Sequence, residues 1–192
     1  MSSHSNIIKA KLDEVPALAG AQLAYISIGS NLATRQGEPV ELLQRAFAAL
    51  AQLSDYPLLV SSLWESMPID CPPESPRFVN AVAALRPRQG NPRELLASLQ
   101  QIEDDFGRRR GAVRNAPRTL DLDMLSYGEV LMQEGELTLP HPRMHERAFV
   151  LKPLLEIAPH YRVPGMERPA SELLREIVGQ GTLTPINFAK SL

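Results

Sequence analysis

Short, mostly apolar runs alternate along the chain with longer stretches of helical period, and their order predicts an α+β domain. Leu23–Ile28 is a compact apolar run closed by Gly29-Ser30-Asn31, the pattern of a buried strand entering a turn. Pro39 opens a helix in which Leu42, Leu43, Ala46, Phe47, Leu50 and Leu53 recur at helical spacing. Leu58–Trp64 predicts a second strand and Phe78–Leu85 a third. Residues 66–77 lie between them and hold four prolines, so they predict a stiff, irregular loop. Asn91-Pro92-Arg93-Glu94 has the form of a helix start, with Asn91 as the cap. That helix runs through Leu95, Leu99, Ile102 and Phe106 and stops at Gly107. Thr119–Ser126 predicts a fourth strand. Gly128 and Gly135 bracket a hairpin whose second arm, Leu137–Leu139, ends at Pro140-His141-Pro142. A short helix is expected over Glu146–Ile157, and a helical pattern returns at Ala170–Val178.

The order is β-α-β-β-α-β with additions, which predicts a ferredoxin-like α+β sandwich with additional strands and helices. Residues 1–20 are expected to form a flexible N-terminal extension and residues 21–165 the core domain. Residues 166–192 are expected to pack on that domain or trail from it.

Composition narrows the setting. With 192 residues and 44% hydrophobic content, the chain suits one domain with a core. A net charge of −2 gives no global reason to expect a nucleic acid or a membrane. Cys71 is the lone cysteine, so an intrachain disulfide is excluded and a cysteine-based zinc site is disfavoured. Lys9, Lys11, Asp13 and Glu14 interrupt any signal-like apolar run, and no apolar stretch is long enough to span a bilayer. The expected location is cytoplasmic.

The chemistry concentrates in two adjacent segments. In Thr119-Leu120-Asp121-Leu122-Asp123-Met124, strand alternation sends the apolar side chains to one face and both aspartates to the other. Their α-carbons would lie about 6.6 Å apart, and the carboxylates can converge on a small divalent ion such as magnesium. Read alone, the pair fits a half-exposed strand with a polar face equally well. Arg108, Arg109, Arg110, Arg114 and Arg118 precede it within a stretch free of acid. Arginine forks match phosphate oxygens, so basic loop and acidic strand together suit a metal-bound polyphosphate. A solvated basic loop or a nucleic-acid patch is the alternative, although only 5% of residues are aromatic and no strand has the pattern of an RNA-reading sheet. No phosphate-loop or protein-kinase signature occurs.

Other positions support this reading more weakly. Gln100 and Glu103 share a helix face that can meet a ligand or simply border the core. His141 is held between prolines. Asn80 lies in an apolar strand, where its amide must be satisfied or used to read a heterocycle. Phe78 and Phe149 are stacking surfaces or core.

Five stretches, AYISIGSNL (24–32), FVNAVAAL (78–85), QQIEDDFGRRR (100–110), APRTLDLDML (116–125) and LPHPRMHERAFVLKPLLEIAP (139–159), resemble 6-hydroxymethyl-7,8-dihydropterin pyrophosphokinase, a folate-pathway family. The resemblance spans about residues 21–165. It implies transfer of pyrophosphate from ATP to the pterin's hydroxymethyl group with release of AMP. It further implies two Mg2+ ions on Asp121 and Asp123, and small-molecule partners rather than nucleic acid or membrane. A monomer is expected. By resemblance Arg108, Arg118, Asp121 and Asp123 are catalytic, and Gln100, Glu103, Arg110, Met124, Thr138, His141 and Arg147 meet ATP. Ser66, Pro68, Ile69, Phe78, Asn80 and Phe149 meet the pterin. Asn115, Pro142, Phe78, Ser66-Met67 and Asp70-Cys71 depart from the familiar pattern, all of them near the loops that close the site. Those departures, around loops that the resemblance implies are mobile, leave a low-activity pterin- or nucleotide-binding paralogue as a rival reading, and the arginine loop leaves an RNA-binding ferredoxin-like module as another.

Overall fold

The computed structural model describes residues 6–88, 90–108 and 117–186. Its elements are β1 (Ile7–Ile8), β2 (Ala24–Ser30), α1 (Pro39–Ala51), β3 (Leu58–Val60), β4 (Leu63–Ser66), β5 (Phe78–Leu85) and α2 (Pro92–Asp105). These are followed by β6 (Asp121–Tyr127), β7 (Met132–Glu134), β8 (Leu137–Leu139), α3 (Ala148–Ile157), α4 (Ala170–Glu176) and β9 (Thr184–Ile186).

The main sheet runs β1-β3-β5-β2-β6, with β4 also on β5 and β9 on β4. The β2–β5, β2–β6, β3–β5 and β4–β5 pairs are all antiparallel. This is the pairing of two interleaved β-α-β units, so the α+β class holds. The parallel β1–β3 pair makes the sheet mixed.

Both central strands are buried along nearly their whole length, because helices cover both sheet faces. On one face Ile26, Ile28, Ala81, Ala83, Leu122 and Met124 pack on Leu43, Phe47 and Leu50 of α1 and Leu95, Leu99 and Ile102 of α2. On the other, Tyr25, Val82, Ala84 and Leu125 pack on Val150, Leu151 and Leu154 of α3. With α3 among the additional helices expected from the sequence, the sandwich has a third layer. That layer covers only part of its face, and the uncovered part becomes the site.

Local chemistry explains the element ends. The Asn91 side chain accepts a hydrogen bond from the Arg93 N–H at 2.9 Å and caps α2. At the start of α1, the Glu41 carboxylate accepts from the Glu38 N–H at 2.9 Å. Gly37 makes room for it, since a β-carbon there would come within 2.4 Å of Glu41 Oε2.

Three expectations need revision. The strand expected over Leu58–Trp64 is broken at Ser61-Ser62, because the Ser61 hydroxyl accepts from the Val82 N–H at 2.9 Å and takes the place of a ladder carbonyl. The N-terminal extension, expected to be flexible, packs from Asn6 onward within the described residues. Ile7 pairs with Leu58, and Val15 and Leu18 are buried in the cluster beneath α3, so apolar burial offsets the cost of ordering it. Finally, α3 begins at Ala148 rather than Glu146, which leaves Arg147 just outside the helix in extended conformation.

Candidate active site

Sheet register builds the floor of the site. Gly29 of β2 pairs with Asp121 of β6 on one side and with Asn80 of β5 on the other. Asn80 pairs in turn with Trp64 of β4. Directly paired residues share a face, so Asp121, Gly29 and Asn80 form one row. Ser27 pairs with Asp123 and Val82, which sets the second aspartate two residues along the same face. The resulting cavity also receives Ser66, Met67, Ile69, Asp70 and Cys71 from the 66–77 loop, Phe78 and Arg118, with Arg143, Glu146 and Arg147 from the approach to α3 and Phe149 from its first turn.

Gly29 keeps the floor low. A β-carbon there would stand 3.7 Å from Asn80 Oδ1 and 3.9 Å from both Asp121 Cβ and Phe78 Cδ1, in ordinary contact but inside the space. The Asn80 Nδ2 group donates to Ser66 Oγ at 2.9 Å and to the Trp64 carbonyl at 3.2 Å. This satisfies the donor end of a buried amide and turns its Oδ1 towards the gap above Gly29.

The two aspartates have different surroundings. Asp121 is held by Arg118 Nη1, 2.7 Å from its Oδ2, and by Arg108 on its Oδ1. Arg108 also pairs with Glu103, which is buried and accepts from the Leu122 N–H at 2.7 Å. Asp123 opens on the cavity, with Arg147 Nη1 at 3.6 Å and His141 Nε2 at 4.0 Å. Burial, and then the neighbouring Asp121 charge, push its carboxyl up to about 7. Burial and the Arg147 charge push His141 down to about 4. The imidazole is thus neutral at pH 7. Its Nδ1 accepts from the Arg143 N–H at 3.1 Å, which leaves the proton on Nε2, facing Asp123.

This donor set fits a hard divalent cation. No group of three or more His, Cys, Asp or Glu side chains suited to a metal occurs among the described residues. A cation here would therefore rest on the aspartate pair, with water and phosphate oxygens completing its shell, as magnesium prefers. The strained ionisation of Asp123 points the same way, because a nearby cation offsets the like charge of Asp121.

Of the residues expected at the site, Ser66, Ile69, Phe78, Asn80, Arg118, Asp121, Asp123, Arg147 and Phe149 line the cavity. His141, Arg108 and Glu103 adjoin it through Asp123 and Asp121. The Met124 side chain does not join them. It is buried in the core against α1 and α2, as strand alternation requires, so any nucleotide contact at this position is through its main chain. Gln100, Thr138 and Pro68 are half-buried and do not line the cavity. Arg109, Arg110, Arg114 and Asn115 lie outside the described residues.

Several contributors were not anticipated. Asn31, read only as a turn residue, is 3% exposed and ties two segments together. Its Nδ2 donates to the Pro76 carbonyl at 3.2 Å, and its Oδ1 accepts from the Arg118 N–H at 2.8 Å. Asp70 pairs with Arg143 at 3.0 Å and joins the 66–77 loop to the opposite wall. Gln180 also lines the cavity. The Gly29-Ser30-Asn31 strand end was the available signal for Asn31. Long-range pairs such as Asp70–Arg143 leave no local pattern.

Residues 25–159 match the family model described as 7,8-dihydro-6-hydroxymethylpterin-pyrophosphokinase (HPPK). The chain is 44% identical over 158 residues to a Haemophilus influenzae protein named 2-amino-4-hydroxy-6-hydroxymethyldihydropteridine pyrophosphokinase, covering 82% of this chain and 91% of that one. A Pseudomonas aeruginosa protein of the same name is 46% identical over 144 residues, covering 74% and 85%. Plasmodium falciparum HPPK-DHPS, crystallised as wild type with pteroate, superposes with a TM-score of 0.60 at 12% identity. That match takes in 81% of this chain and 44% of the larger one, so the chain spans under half of it and the likeness is one of fold.

Proposed function

The chain belongs to the 7,8-dihydro-6-hydroxymethylpterin-pyrophosphokinase family, and on that premise we propose that it transfers the terminal pyrophosphate of ATP to the hydroxymethyl group of 6-hydroxymethyl-7,8-dihydropterin, releasing AMP, in folate biosynthesis. The observation that carries this reading is the Asp121–Gly29–Asn80 row, which sets a carboxylate pair beside a pocket equipped for a flat heterocycle.

The acceptor's ring fits against Phe78 and Phe149, and the Asn80 Oδ1 accepts from its N–H edge. Arg147 lies with its guanidinium carbon 5.6 Å from the Phe149 ring centroid, so the stacking wall and the phosphate side of the site are linked. Asp121 holds Arg108 and Arg118 where polyphosphate charge would be met. The neutral His141 offers Nε2–H to a phosphate oxygen without adding charge. Two magnesium ions on Asp121 and Asp123 would neutralise charge on the phosphate chain.

The hydroxymethyl oxygen attacks the β-phosphorus in line as the bond from that phosphorus to the α-phosphate oxygen breaks and AMP leaves, the hydroxyl proton passing to solvent, and positioning and charge neutralisation by these side chains supply the rate. No side chain is assigned as a general base. The proposal extends to a monomer that takes small molecules rather than nucleic acid. It also extends to the cytoplasm, which the lone thiol of Cys71 fits. No helix among the described residues is long and apolar enough to cross a membrane.

Asp121→Ala and Asp123→Ala test the assignment. Each should abolish turnover of ATP with the pterin while circular dichroism stays that of the parent. Retained activity in both variants would remove the carboxylate pair from the reaction.

A further inference from the structure

Gly179-Gln180-Gly181 lies beyond residues 25–159, where the family match ends. As a sequence it is too short to be a phosphate loop. Both glycines have left-handed φ, +78° and +73°, and between them the chain turns Gln180 towards the cavity. The segment is anchored on its far side by β9, which pairs with Leu63, Trp64 and Glu65 of β4, the strand that ends in Ser66.

The Gln180 amide makes a two-point contact with one stretch of main chain. Its Oε1 accepts from the Ala148 N–H at 2.9 Å, and its Nε2 donates to the Glu146 carbonyl. These two groups flank Arg147 in the way a neighbouring strand would grip one residue. The Ala148 N–H is also among the first N–H groups of α3, which have no partner within the helix. Arg147 reaches Asp123, and Phe149 lines the cavity one residue further on.

We infer that Gln180 is a positioning residue, fixing through the Glu146–Ala148 main chain the directions of Arg147 and Phe149, so that the C-terminal strap is part of the acceptor site. The inference rests on the function proposed above. Gln180 acts through these neighbours and takes no chemical step.

Gln180→Met keeps the side chain's length and removes both hydrogen bonds. Two neutral hydrogen bonds lost at the clamp should raise KM for the pterin roughly tenfold, with kcat reduced less. Gln180→Glu retains the acceptor for Ala148 N–H and loses the donor, so its KM should fall between the two. Gly181→Ala adds a β-carbon 3.5 Å from Met67 Cγ at a left-handed φ, and should shift KM in the same direction by displacing the strap. Melting temperature is recorded for each variant. A purely structural role would lower it and leave the KM of the folded enzyme unchanged. Wild-type KM in both Gln180→Met and Gly181→Ala overturns the inference and leaves the proposed function standing. Failure of the wild type itself to form AMP from ATP and the pterin overturns both.

Discussion

Lowering pH from 8 to 6 should weaken divalent-metal binding to the nucleotide-free protein by about tenfold. The cause is Asp123, whose carboxyl is raised to about 7 by burial and by Asp121. A metal ligand must be deprotonated, so binding displaces this proton. The cost in apparent affinity is a factor of 1 + 10^(pKa − pH), about 11 at pH 6 and about 1.1 at pH 8. An ordinary aspartate with a pKa of about 3.9 would give a change of about one per cent over the same range. His141 does not contribute, because at about 4 it stays neutral throughout. The assay is titration with Mn2+, following loss of the free-ion paramagnetic signal, without ATP and its own titrating phosphates. Arg147 lowers the Asp123 pKa, so Arg147→Met should move the midpoint to higher pH. Asp123→Asn should bind weakly and without pH dependence. Affinity equal within about twofold from pH 6 to 8 would show that Asp123 is already ionised at pH 6. The sign extends to folding. With its pKa raised, Asp123 holds a proton in the folded state between about 4 and 7 that the unfolded chain has released. Its contribution therefore makes the metal-free protein less stable as pH rises through that window.

Gly29→Val should leave folding intact, since valine suits a strand and its β-carbon meets only ordinary contacts. It should abolish pterin binding measured by fluorescence titration, and near-normal binding would remove Gly29 from the pocket floor. Asn31→Ala should cost about 1–3 kcal/mol in urea unfolding and lower kcat/KM, because the 66–77 loop and the Arg118 segment lose their tie. Unchanged kcat/KM would make Asn31 a structural residue only. Glu103→Ala should destabilise by about 2 kcal/mol, because the buried Leu122 N–H loses its acceptor and Arg108 loses one of its carboxylates. A change within about 0.5 kcal/mol would show that water replaces it at no cost.

The central elements were legible because their signals are local. The apolar runs of β2 and β5 and the Asn91-Pro92 start of α2 are set by neighbours in sequence, and so is the alternation that sends Asp121 and Asp123 to one face. The same alternation placed Met124 in the core, which the family resemblance alone would not have indicated. What escaped depends on distant partners. Asn31 reads as a turn residue until Pro76 and Arg118 are brought to it, and Ser61 ends β3 only because Val82 lies opposite. The N-terminal segment mixes its apolar residues with Lys9, Lys11, Asp13 and Glu14, and its order becomes visible only when Val15 and Leu18 find the cluster under α3. Gln180 had no local signal beyond its two glycines, whose left-handed conformation takes its meaning from the chain they turn inward.

The chemistry proposed for this site is transfer of a pyrophosphate rather than of a single phosphate. Incubation of the protein with ATP, magnesium and 6-hydroxymethyl-7,8-dihydropterin, followed by phosphorus NMR of the products, tests it most directly. The expected products are one AMP for each pterin consumed and a pterin carrying two linked phosphates. ADP with a singly phosphorylated pterin, or no turnover, would contradict it.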